Sequence, residues 1–268
     1  MRYISNTSGE LLTNTSGDLL QAQRDSLYDT QSVFEASLRF FTENRRREMV
    51  GLSGAITYLK ENQIYTPFNL FFILPTNAAE SLKEWKGGAS MTASGSYTFS
   101  SLGISGGGTE EFDTLINPST KITDINNWAF GVYSQTDNDT GSDFGCHDTT
   151  NFHYIKCKTG GEFIVKNGEV EVNAGTVDNG KGHFACVTTA GVVHAYLDGV
   201  SQASDNVSGS LANYNMYLGA VNGAGTAEEN SSKTYSMAWT YDGALTPTQM
   251  TQVDRMVIAV NDIYNRRV

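Results

Sequence analysis

The sequence is short of cysteine, proline and basic residues, and it has no long apolar run. Its three cysteines, Cys146, Cys157 and Cys186, form an odd set without metal-ligand spacing. Buried free thiols are therefore expected rather than a disulfide framework. Lys and Arg number 18 against 29 Asp and Glu, a formal charge of −11. A surface of that sign repels phosphate backbones, so no nucleic-acid partner is expected. The most apolar stretch, Leu70 to Leu74, is far shorter than the ~20 residues of a spanning helix, and no membrane insertion is expected. The start, MRYISNTSGELL, has no apolar core that reads as a secretion signal. Four histidines, His147, His153, His183 and His194, fall in different segments with no motif linking them, which gives no support to Ser/His/Asp or Cys/His catalysis.

What the chain does have is glycine and aromatic residues: 27 Gly, 13 Phe, 13 Tyr and 3 Trp in 268 residues. The aromatics exclude disorder, and the mixture suits many short strands joined by tight turns. From Ser94 onward the apolar pattern has period two, as in Trp128, Phe130 and Val132, or Phe152, Tyr154 and Lys156. Asn167-Gly168, Ala190-Gly191 and Asp198-Gly199 stand between such runs and predict hairpin turns. Phe68 to Leu74 reads as a strand buried on both faces. Helical spacing appears over 21–47 (Leu27, Phe34, Leu38, Phe41) and over Met49 to Asn62 (Leu52, Ile56, Leu59). A final helix is marked by Thr246, Pro247 and Gln249 as a capping box, with an apolar stripe from Met250 to Tyr264. Arg266 and Arg267 are expected to complement its C-terminal dipole.

The first twenty residues repeat a short unit, NTSGELL at 6–12 and NTSGDLL at 14–20. Leu11, Leu12, Leu19 and Leu20 cannot bury themselves in so short an arm, so they are read as an anchor that docks on a partner. The organisation expected is an extended arm over 1–20, a helical oligomerisation or attachment region over 21–65, and a β-sandwich with a C-terminal helix over 66–268. The apolar stripe of the helix at 21–47 has few local elements to cover it, which predicts a homo-oligomer, with a trimer favoured.

Three pieces in order resemble the concanavalin A-like, laminin-G-like superfamily. They are the paired segment His183–Gly199 with Tyr196-Leu197-Asp198-Gly199 at its end, the turn Tyr217-Leu218-Gly219-Ala220, and Trp239–Gly243 followed by Ala244-Leu245-Thr246. The resemblance implies a mainly β, jelly-roll sandwich with N-terminal helices and a C-terminal helix. A further set is similar to bacteriophage virion proteins that carry this lectin-like module at the ends of tail or fibre polypeptides. It comprises Tyr58-Leu59-Lys60 before the aromatic strand Phe68–Leu74, Leu115-Ile116-Asn117-Pro118-Ser119-Thr120, Tyr133-Ser134-Gln135-Thr136, and the ending Arg266-Arg267-Val268. That resemblance implies a virion protein, held to other virion proteins through its N-terminal arm and displayed as a fibre, spike or decoration that contacts host surface glycan. The alternative is a free lectin or glycan hydrolase of the same superfamily.

Candidate sites follow from chemistry. A glycan platform needs aromatics beside amides or carboxylates, which Tyr214, Asn215 and Tyr217, or His153 with Tyr154, supply. Asp137, Asp139 and Asp143 alternate in one loop and can gather oxygen ligands for calcium, although the loop lacks a bidentate Glu and a polar hairpin tip explains it equally well. No other cofactor is expected. Glu169 and Glu171 are the nearest approach to a pair of carboxylates on one strand face; without a third partner no enzyme activity is expected of them.

Overall fold

The computed structural model describes residues 46–73, 78–85, 90–266 and 268. The four arm leucines, Leu11, Leu12, Leu19 and Leu20, lie outside the described residues, as does all but the end of the helix expected over 21–47. The chain divides into two compact units, Met1–Thr57 and Tyr58–Val268. Helix α1 (Arg46–Glu61) forms where the period-3.6 pattern predicts it, with Ile56 and Leu59 buried, and two single-turn helices, α2 (Ala78–Ser81) and α3 (Pro118–Lys121), come later in the chain.

The second unit is mainly β, as expected. One sheet has the order β13 (Val200–Asn206), β12 (Val192–Leu197), β11 (Gly182–Thr189), β6 (Trp128–Ser134), β17 (Tyr235–Asp242), β4 (Gly103–Ser105) and β3 (Thr98–Ser100); β1 (Phe68–Phe72) also pairs with β17. The second has the order β10 (Val170–Thr176), β9 (Glu162–Gly168), β8 (Phe152–Thr159), β7 (Phe144–His147), β14 (Tyr217–Leu218), β5 (Phe112–Asp113) and β2 (Thr92–Ala93). Beside β7 runs β15 (Val221–Gly223), paired with β16 (Thr226–Glu228).

Alternation along the strands sends one set of side chains into a shared core. Trp128, Phe130, Val132, Phe184 and Cys186 from the first sheet meet Phe112, Phe144, Ile155, Phe163, Val165 and Leu218 from the second. Phe163 meets Phe184 edge-on at 5.0 Å, and Phe130 meets Phe144 at 6.1 Å, so aromatic contacts tie the sheets together. Each fully buried side chain of this size contributes roughly 1.5–3 kcal/mol by removal from water. The three cysteines are free and buried, as the sequence predicts. Burial raises all three thiol pKa values, which suppresses the reactive thiolate.

The outer face of the first sheet is covered. Helix α4 (Pro247–Ile263) begins with the expected capping box and buries Met250, Val253, Met256, Val257 and Val260. Polar contacts seat it on the sheet: His183 Nδ1 donates to Asp254 at 2.9 Å, and Ser236 donates to Asn261 at 2.7 Å. His183 Nε2 in turn accepts from the Trp239 indole at 3.0 Å. The ring of Trp239 lies over Gly131, where a Cβ would stand 2.5 Å from it. A buried side chain with both ring nitrogens committed this way braces the sheet and offers no free base.

Two expectations are corrected. Arg266 does not simply complement the helix dipole: it is buried, and its guanidinium donates to the backbone carbonyls of Ser101 and Ile73. The hairpin turn is shifted by one residue. Asn167 pairs with Val170, leaving Gly168-Glu169 as the loop. Asn167 is wholly buried, because its amide is needed inside the sandwich. The turns at Ala190-Gly191 and Asp198-Gly199 are as predicted, with positive φ at all four residues.

Candidate functional site

One outer face of the sandwich lies under α4, and the outer face of the second sheet carries a cluster of aromatic and charged side chains. Strand β8 sets its composition. His153, Ile155 and Cys157 point into the sandwich, so Phe152, Tyr154 and Lys156 share the other side. Register extends the row, since Tyr154 pairs with Lys166 on β9 and Lys166 with Glu171 on β10. Directly opposite residues project to the same face.

Contacts join these side chains into one cluster. The His147 ring stacks on Phe152 at 4.6 Å between centroids, and Lys166 Nζ lies 4.2 Å from the centre of the same ring. Lys156 Nζ sits 4.9 Å from the centre of the Tyr154 ring and 2.8 Å from Glu229. Tyr154 donates to Glu171 at 2.6 Å, and His147 Nε2 lies 3.1 Å from Glu228. Glu228 closes the β15–β16 hairpin and Glu229 follows it. A histidine–carboxylate contact from β7 and a salt bridge from β8 therefore hold that hairpin's end beside the aromatic rings.

Electrostatics follow from partial burial. Burial, and then the bond to Glu171, push the Tyr154 hydroxyl well above its ordinary pKa, so it is a donor at all physiological pH. Burial raises the Glu229 carboxyl, but bonds from Lys156 and Ser142 outweigh it and hold the group below its usual value. Both Glu228 and Glu229 remain about half exposed, at 50% and 49% of the side chain. The face thus carries two aromatic rings, two ammonium groups and the half-exposed carboxylates of Glu228 and Glu229. Hydroxyl-rich ligands use groups of these kinds.

The sequence candidates separate. His153 and Tyr154 do not form one platform, because neighbours on a strand project to opposite faces. His153 is wholly buried, its Nδ1 bonding Asn167 at 2.8 Å and its Nε2 accepting from Ala212 N–H at 2.9 Å. Burial lowers its pKa to about 4. Tyr154 lies in the cluster with little exposed surface. Tyr217, on β14, pairs with Gly145 of β7, and burial followed by the charges of Asp113 and Glu111 raises its pKa. Asn215 donates to Asp113 at 3.1 Å, while Tyr214 packs against the core. Sequence reading overlooked His147, Phe152, Lys156, Lys166, Glu228 and Glu229. The alternation of Phe152, Tyr154 and Lys156 was visible; the cross-strand neighbours were not.

The three loop aspartates also go separate ways. Asp137 accepts from Gly180 N–H at 2.7 Å and from Lys158 at 3.0 Å, and Asp139 accepts from Gly161 N–H at 2.8 Å. Asp143 is buried against Lys233, Ser231, Tyr235 and the Cys157 amide. Among the described residues no group of three or more His, Cys, Asp or Glu is placed to hold a metal ion. Glu169 sits at the hairpin tip beside Ser208, whereas Glu171 is bonded to Tyr154.

No protein-family model matches the chain, and no curated protein matches it. Solved structures do. A mutant of Trypanosoma rangeli sialidase displaying trans-sialidase activity aligns over 78% of this chain with TM-score 0.51 at 11% identity. The alignment covers 39% of the sialidase chain. The fold is a β-sandwich shared with part of that chain. Domain 4 of an extracellular arabinanase from Geobacillus stearothermophilus, solved with arabinotriose, aligns over 70% of this chain and 88% of its own, with TM-score 0.44 and 18% identity. The CBM40 module of a Ruminococcus gnavus sialidase aligns over 57% and 96% respectively, with TM-score 0.44 and 12% identity.

Proposed function

We propose that the protein is a non-enzymatic, glycan-binding β-sandwich of a phage virion, anchored to other virion proteins by residues 1–20 and presented as a homo-oligomer. The observation that carries glycan binding is the outer face of the second sheet, where Phe152 and Tyr154 lie among Lys156, Lys166, Glu171, Glu228 and Glu229. Ring faces pack against the C–H surface of a sugar, while carboxylates and ammonium groups take up its hydroxyls. The solved relatives include an arabinanase domain with a bound arabinotriose and a sialidase carbohydrate-binding module, which agrees with this reading. The virion role rests on the sequence resemblance, and the leucine-bearing repeat supplies a means of attachment.

A glycan array with a parallel hydrolysis assay tests the binding role. Wild type is expected to bind at least one glycan and release no product, and Phe152→Ala with Lys156→Ala to lose binding while the far-ultraviolet spectrum is unchanged. Absence of binding across the array, or turnover abolished by Glu171→Gln, overturns the reading. For the virion role, antibody against the sandwich is expected to label intact particles; particles that carry the protein unchanged after deletion of 1–20 exclude the anchor.

A further inference from the structure

We infer that this face selects uncharged glycans and rejects those bearing carboxylate or sulfate; the inference rests on the glycan-binding reading above. The reason is the charge balance and the way each cation is already engaged. Three carboxylates, Glu171, Glu228 and Glu229, stand in the cluster against two ammonium groups, Lys156 and Lys166. Lys156 is held at 2.8 Å by Glu229, and Lys166 lies across the strand pair from Glu171. An incoming sugar carboxylate would have to take Lys156 from Glu229, or Lys166 from the Phe152 ring, and then sit beside a glutamate.

The donor set points the same way. Among the described residues the cluster contains no arginine, the side chain whose planar fork grips a carboxylate with two parallel hydrogen bonds. The open lone pairs belong to Glu228 and Glu229, which accept hydrogen bonds and cannot donate them when ionised. A neutral sugar presents hydroxyl donors that suit those acceptors. An acidic sugar presents acceptors to acceptors, and the overall charge of −11 adds long-range repulsion.

The test pairs each neutral oligosaccharide on the array with its sialylated, uronate or sulfated counterpart. Neutral members are expected to bind about tenfold or more tightly, a ratio that shrinks when salt is raised from 0.05 to about 0.5 M because screening shortens the reach of the carboxylates. Glu228→Gln with Glu229→Gln is expected to narrow the ratio at low salt. The salt series on wild type decides the matter should that variant fold poorly. Preference for the acidic members, or a ratio indifferent to both salt and substitution, overturns the selectivity and leaves glycan binding standing. Binding to no glycan at all overturns the parent reading instead.

Discussion

The amide oxygen of Asn167 lies 2.8 Å from Nδ1 of His153, and the same oxygen accepts from the Trp128 indole at 3.1 Å. The other end of that amide donates to Thr188 at 2.6 Å. Trp128 and Thr188 belong to the first sheet, His153 and Asn167 to the second, so one side chain hydrogen-bonds across the sandwich. Asn167→Ala leaves several buried polar groups without a partner. Each costs ~1–3 kcal/mol, and a destabilisation of about 3 kcal/mol or more is expected. An unfolding free energy from urea titration lowered by under about 0.3 kcal/mol would refute the cross-sheet role.

His153 also makes stability depend on pH. Its Nε2 accepts from Ala212 N–H, which places the ring proton on Nδ1, where it is donated to Asn167. Burial lowers the folded pKa to about 4, against about 6.5 for an exposed histidine. Between those values the unfolded chain binds the extra proton, so this contribution to stability is complete above about pH 6.5. It diminishes as pH falls towards 4, by up to ~1.4 kcal/mol per pH unit. The imidazole carbon resonances of His153 should remain those of the neutral ring at pH 5; a protonated ring there contradicts the geometry.

Gly168 and Gly160 offer a controlled pair. Both have positive φ, +67° and +62°. A Cβ on Gly168 would stand 1.9 Å from the Ser208 carbonyl oxygen, whereas a Cβ on Gly160 meets nothing within 4 Å. Gly160→Ala is expected to cost about 1 kcal/mol, the left-handed backbone penalty alone. Gly168→Ala adds a backbone collision and is expected to cost at least twice as much. Equal melting temperatures for the two variants would remove the distinction.

Asp143 and Lys233 are both wholly buried, with Nζ 3.3 Å from the carboxylate. Tyr235 and Ser231 donate to the same oxygen, and the Cys157 amide to the other. Asp143→Ala strands an ammonium in the interior and is expected to cost ~3–5 kcal/mol. A chelator is expected to leave the wild-type melting temperature unchanged, since hydrogen bonds already engage all three loop aspartates. A calcium-dependent rise in melting temperature would contradict this.

Much of the sandwich was legible from local pattern. Period-two alternation located β6, β8, β9, β11 and β17, and the glycine turns after β11 and β12 were read correctly. The site was harder. Tyr154 was named, but its assigned partner His153 lies on the opposite face, and Lys166, Glu228 and Glu229 come from strands or turns whose register no local signal specifies. Asn167 illustrates the limit most sharply. Asn-Gly favours a turn tip, but two buried donors, Trp128 and His153, and one buried acceptor, Thr188, drew the asparagine inward and moved the loop by one residue.

What the sequence alone determined is whatever depends on a residue and its near neighbours: positive φ at Ala190-Gly191 and Asp198-Gly199, the Thr246–Gln249 cap, and the alternation of each strand. Such preferences come from short-range sterics and hydrogen bonds, which the order of residues encodes directly. Tertiary structure decided which alternating face would be covered by α4 and which left open. It also decided that Asp143 would find Lys233, 90 positions along the chain. Burial and charge pairing act through space, and their partners exist only once distant strands have come together.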